Sequence, residues 1–249
     1  MAEFKSYHVW DVPTRLFHWI NLLCVLGLIG SGLVILYASD LGASSGGKIA
    51  LKSVHAGIGY AFAANLLWRL VWAFFGNRFG RWRALLPGGR GYLAALRAYV
   101  AAFLAGEPHH YLGHNPVGRI GVTVLLLLML IQAITGLMLA STDLFWPPLG
   151  ASFAQWIAAP GVDPGSLQPY AKATYDATAY DSMRALRNPF ITTHLYTFYV
   201  LVGMIVLHVA AVVVTELREG GGIVSAMFTG RKVVAHRPRD LPDDDDQKS

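Results

Sequence analysis

One cysteine, Cys24, stands in 249 residues, and that scarcity removes whole classes of chemistry. No intrachain disulfide, no cysteine-ligated iron–sulfur cluster and no Cys-x-x-Cys-His run for covalent porphyrin attachment can form. Charge is also scarce: Asp, Glu, Lys and Arg make up 14% of the chain, where soluble domains carry about a quarter. With 54% hydrophobic residues and a mean hydropathy of +0.43, the composition is that of an integral membrane protein. Despite the basic balance, no basic patch carries the interleaved aromatics of a nucleic-acid platform, so nucleic acid is not an expected partner.

Four apolar stretches, 16–38, 54–75, 119–140 and 190–215, can each cross a hydrocarbon core, which takes about 20 residues in a helix. Membrane-barrel strands would be shorter and would alternate, so an all-α transmembrane four-helix bundle is expected. None of the four stretches contains Asp or Glu. The first is too long for the h-region of a signal peptide and lacks a small-residue cleavage site, so it is expected to be a mature helix.

Basic residues set the expected orientation. Lys5, Arg78, Arg81, Arg83, Arg90, Arg97, Arg218, Arg231, Lys232, Arg237 and Arg239 fall on one side, and Lys48, Lys52, Lys172, Arg184 and Arg187 on the other. The positive-inside rule then places both termini in the cytoplasm of a bacterium, with the chain multi-pass in its inner membrane. Residues 1–217 form the membrane domain, with an external, periplasmic loop at 141–189. Residues 218–249 form a cytoplasmic tail whose acidic end, Asp243 to Asp246, is expected to be solvated and disordered.

Local signals refine this outline. Asp11, Pro13 and Thr14 announce the start of the first helix, Trp10 and Trp19 are interfacial anchors, and Tyr92 to Leu104 reads as a short interfacial helix. After His55 comes a run of small residues, Ala56, Gly57, Gly59, Ala61 and Ala63. It admits either a flat, bulky group or plain helix–helix contact. The external loop carries Trp146, Pro147, Pro148 and several tyrosines, and at that length it either docks a partner or caps the bundle.

What the apolar stretches do contain is histidine, and an ionisable group within hydrocarbon is read first as functional. His194 and His208 lie fourteen positions apart in one stretch, which returns the second ring to within about 40° of the first, about 21 Å further along a helix. By depth, His18 pairs with His208 and His55 with His194, one pair per leaflet. Two imidazoles at each of two depths suit bis-histidine haem iron, a saturated centre for electron transfer. Zinc would want three or four protein ligands, often thiolate or carboxylate, and none is available there. A proton relay and simple interhelical hydrogen bonding are the other uses of such histidines.

Three further residues stand out. Arg69 lies inside the second stretch, where a haem propionate or snorkelling must satisfy its charge. His114 and Asn115 precede the third stretch on the His18/His208 side, where they either hydrogen-bond a quinone carbonyl or, with Pro116, set a helix-start turn. His8, His109, His110 and His236 read as surface histidines.

Val9-Trp10-Asp11, Pro13-Thr14-Arg15-Leu16-Phe17-His18-Trp19, the small-residue run after His55, Gly113-His114-Asn115-Pro116 and the His194/His208 pair together resemble the b-type cytochrome subunits of nickel–iron hydrogenases. More distantly they resemble the gamma subunit of membrane formate dehydrogenase. The resemblance runs from about Val9 to Lys232. It implies two haem b groups, His55 and His194 ligating the external one and His18 and His208 the cytoplasmic one. It also implies an electron-transfer subunit of a quinone oxidoreductase complex, linking a periplasmic redox enzyme or c-type cytochrome to ubiquinone or menaquinone. A haem-free membrane anchor for a periplasmic enzyme is the alternative.

Overall fold

The computed structural model describes residues 4–219 and 222–241. Its elements run β1 (Lys5–His8), α1 (Val12–Leu36), α2 (Ser45–Phe75), α3 (Trp82–Leu85), α4 (Tyr92–Leu104), α5 (Pro116–Asp143), α6 (Gly150–Ile157), α7 (Ala177–Glu219), α8 (Ile223–Thr229) and β2 (Arg231–Val234). Helices α1, α2, α5 and α7 are long and apolar enough to cross a membrane, and at most 22% of any such apolar window is buried within the protein. Leu23, Leu26, Leu67, Phe74, Leu127 and Val206 point outward. Such faces belong in lipid, and the chain is a multi-pass membrane protein built as an α-helical bundle.

Each long helix begins before its apolar stretch, because hydropathy marks only the part that hydrocarbon must surround; α1 ends at Leu36, two residues short of the expected boundary. Helix α2 begins at Ser45, and α7 begins at Ala177 and runs through Pro189. The segment between α5 and α7 is correspondingly shorter than 141–189, and it holds α6 and two single 3-10 turns. A helix is present at Tyr92–Leu104, as α4. One addition to the all-α expectation is an antiparallel pair, β1 with β2, in which Lys5 faces Val234 and His8 faces Arg231. The acidic end of the tail lies outside the described residues.

The chain divides into two compact units. The first comprises Met1–Trp19, Leu67–Leu127 and Leu201–Ser249. Its hub is Asp11, whose Oδ1 accepts the Thr14 amide at 3.0 Å and caps α1. The other carboxylate oxygen accepts Trp72 Nε1 at 3.0 Å and the Asn77 amide at 3.1 Å, tying the start of α1 to the end of α2. Burial opposes its ionisation, but these hydrogen bonds hold its carboxyl below the usual range. Val9, Trp10, Phe79, Leu112, Ala226, Val234 and Leu241 pack into a core beside it. Glu216 caps α8 by accepting the Gly222 and Ile223 amides, and Asp240 accepts the Leu112 and Gly113 amides at 2.7 and 2.8 Å. The tail up to Leu241 is therefore built into this unit.

The second unit comprises Ile20–Leu66 and Leu128–Val200. Phe153, Ala154, Ile157, Leu167, Tyr175 and Met183 form its apolar core, and Asp176 caps α7 through the Ala179 amide. An ionic knot closes it: Asp143 accepts Lys52 Nζ at 2.5 Å and both Arg187 Nε, at 2.5 Å, and Nη2, at 2.8 Å. That one carboxylate joins α2, α5 and α7. Removing it strands two cations whose side chains are only 25% and 10% exposed. We predict that Asp143→Ala destabilises the protein by about 3 kcal/mol, read as a lower thermal midpoint in detergent; an unchanged midpoint would show that the knot holds nothing.

Candidate functional site

The second unit holds His55 and His194. His55 lies in the first half of α2 and His194 near the middle of α7, and their ring centroids are 6.4 Å apart with the planes at 78°. That span accommodates one metal ion, with a metal–nitrogen bond of about 2 Å on each side and a ring radius beyond it. Each imidazole is held from behind by a hydroxyl. Ser31 Oγ on α1 lies 2.9 Å from His55 Nδ1, and Thr135 Oγ1 on α5 lies 2.8 Å from His194 Nδ1. A glycine follows each hydroxyl, and a Cβ built on Gly32 or Gly136 would meet the facing ring at 3.4 or 3.3 Å. All four long helices thus contribute to this one site.

The donor set decides what the pair can hold. Among the described residues, no group of three or more His, Cys, Asp or Glu side chains is placed to hold a metal ion. A closed zinc site needs four protein ligands, so two imidazoles fit an ion whose other donors come from a ring such as porphyrin. The neighbourhood agrees. A Cβ added at Gly57 or Gly59 meets nothing within 4 Å, so those glycines are not kept small by a neighbouring helix.

The first unit holds the remaining candidates. His18 stands edge-on to Trp19, with centroids 5.3 Å apart, and its Nδ1 is buried without a hydrogen-bond partner. His208 is within electrostatic reach of both His18 and His114. Arg69 is 4% exposed. Its Nη2 donates to the Gly80 carbonyl at 3.1 Å, while Nη1 is buried and unpartnered. A buried guanidinium with a spare donor fits an anionic group such as a haem propionate.

His114 and Asn115 separate in role. Asn115 uses both ends of its amide: Oδ1 accepts the Gly118 amide at 2.7 Å and caps α5, and Nδ2 donates to Tyr99 Oη at 2.7 Å. His114 packs against Trp10, with centroids 5.0 Å apart, and its Nδ1 is buried with no partner. Burial first, and then the positive fields of Arg69, His208 and Arg119, lower its pKa to about 4. It is therefore a neutral imidazole with an unused polar atom.

Sequence reasoning did not find Ser31, Thr135 or their glycines. The signal was a Ser-Gly or Thr-Gly pair inside an apolar helix, which becomes meaningful only once it faces a histidine of another helix.

Residues 9–230 match the family described as prokaryotic cytochrome b561. The chain is 32% identical over 147 residues to a protein of Escherichia coli named probable Ni/Fe-hydrogenase 1 B-type cytochrome subunit, covering 55% of this chain and 61% of that relative. Over 247 residues it is 25% identical to the probable Ni/Fe-hydrogenase B-type cytochrome subunit of Rhizobium leguminosarum bv. viciae, covering 94% of this chain and 92% of the relative. A like-named protein of Bradyrhizobium diazoefficiens is 25% identical over 237 residues, covering 91% of this chain and 86% of that protein. The match thus spans about three fifths of the Escherichia coli relative and most of the other two.

The shift at His114 makes a pH prediction. Its folded pKa of about 4 lies below the ordinary 6.5, so between these values the unfolded chain binds the extra proton. Its contribution to stability is present above about pH 6.5 and is lost as the pH falls toward 4. Thermal midpoints measured from pH 7.5 downward should fall more steeply for the natural chain than for His114→Asn; parallel slopes would contradict the shift.

Proposed function

Because the chain belongs to the prokaryotic cytochrome b561 family, and is thus a membrane cytochrome of b type, we propose that it carries two haems and passes electrons between a periplasmic partner and the quinone pool. The observation that carries this reading is the bis-imidazole arrangement of His55 and His194, backed by hydroxyls and, among the described residues, without a third protein ligand. The second haem would be held by His18 and His208, with Arg69 offering its spare Nη1 to a propionate. Haem iron with two axial imidazoles supplies one-electron transfer and leaves no position open for oxygen chemistry.

The protein residues would do the rest. His114, neutral and with a free nitrogen, offers a hydrogen bond to a quinone carbonyl in the first unit, and Asn115 fixes the start of α5 beside it. Ubiquinone and menaquinone present the same carbonyl chemistry, so either suits this contact. The names of the relatives suggest that the periplasmic partner is a nickel–iron hydrogenase; a c-type cytochrome is the other candidate of matching chemistry. The distribution of Lys and Arg supports an inner-membrane orientation with the first unit, which holds both described termini, at the cytoplasmic side.

Haem extraction tests this directly. Two protohaems per chain are expected from the purified protein, and His18→Ala and His208→Ala should each remove the same one. His114→Asn should slow quinone reduction several-fold while both haems stay bound. No extractable haem would overturn the reading in favour of a haem-free anchor, and loss of different haems from the two alanine variants would break the ligand pairing.

A further inference from the structure

The hydroxyls of Ser31 and Thr135 repeat one device on two helices. Each has a single proton, and each directs it back along its own helix, Ser31 Oγ to the Gly27 carbonyl at 2.6 Å and Thr135 Oγ1 to the Ile131 carbonyl at 2.7 Å. With the proton committed there, only lone pairs face the imidazole nitrogens at 2.9 and 2.8 Å. Nδ1 of His55 and of His194 must therefore be the protonated nitrogen, and Nε2 carries the free lone pair. The following glycine brings the backbone against the adjacent ring carbon, Cε1, where a Cβ would lie at only 3.4 Å for Gly32 and 3.3 Å for Gly136. Hydroxyl and glycine together clamp one edge of each ring.

We propose that Ser31 and Thr135 are positioning residues for the His55/His194 haem, fixing Nε2 as the ligating nitrogen of both histidines and lowering that haem's reduction potential below that of the His18/His208 haem. This rests on the haem reading above. An acceptor behind Nδ1–H increases the basicity of the ligating nitrogen, and a more basic ligand favours ferric over ferrous iron. The first unit has the opposite bias. His18 Nδ1 has no acceptor, and the buried Arg69 guanidinium lies over the ring of Phe17, the residue before His18; a nearby cation favours the added electron.

The test is a potentiometric titration of the full-length protein in detergent, after its haem has been counted. Two one-electron waves are expected. Ser31→Ala and Thr135→Val should each move the lower wave upward by up to about tenfold in the reduction equilibrium, equivalent to about 59 mV. Both should act on the same wave, the double variant should move it further, and the upper wave should stay fixed. Thr135→Ser and Ser31→Thr, which keep the oxygen, should retain the natural potential, and they provide the reading should a variant without the oxygen lose its haem. A lower wave that does not move, waves that shift together, or an oxygen-retaining variant that shifts as far as Thr135→Val would overturn the inference while leaving the haems in place. Absence of haem from the natural protein is a different result, which refutes the proposed function itself.

Discussion

An imidazole inside an apolar helix has two nitrogens to satisfy and no water with which to satisfy them. In the second unit that constraint is met on one side by protein, where the Ser31 and Thr135 hydroxyls hydrogen-bond Nδ1 of His55 and His194. The two rings stand 6.4 Å apart, each with its other nitrogen left for a ligand. A helix bundle built only for packing would gain more from leucine at both positions, so the hydroxyls, the glycines and the histidines make sense together as a ligand cradle.

Ionic and capping contacts brace both units. Asp143, the last residue of α5, gathers Lys52 of α2 and Arg187 of α7 into a closed knot. Asp11 does a comparable job in the first unit by capping α1 while holding Trp72 and Asn77. Lys232, with its side chain only 5% exposed, donates to the Tyr111 carbonyl and pairs with Glu219 at 3.5 Å, so the returning tail is fastened to the loop that leads into His114. All three carboxylates stand at helix boundaries, Asp11 just before α1, Asp143 at the end of α5 and Glu219 at the end of α7.

Much of this was legible in the sequence, and the boundary between what was and was not is physical. Composition and run length gave four membrane helices, because burying a helix in lipid demands apolar residues whatever the partner. The start of α1 and the extent of α4 could be read locally, since a cap at Asp11 and a helix at Tyr92–Leu104 depend on near neighbours. The polar extensions of α2 and α7, the latter continuing through Pro189, were not legible, because hydropathy falls off before helicity does. The β1–β2 pair joins residues from opposite ends of the chain. For the site, the histidines stood out as ionisable groups where none is expected, whereas Ser31 and Thr135 are unremarkable until the fold sets them 2.9 and 2.8 Å from a ring nitrogen.

The central claim is that two imidazoles close both faces of each iron. Carbon monoxide added to the dithionite-reduced protein measures this directly, because a ferrous haem with two firm axial ligands has no place for it. The expected result is a reduced spectrum with both b-type haems unmoved by the gas. A carbon monoxide shift at either haem would show an open or weakly held position and contradict the assignment of its histidine pair.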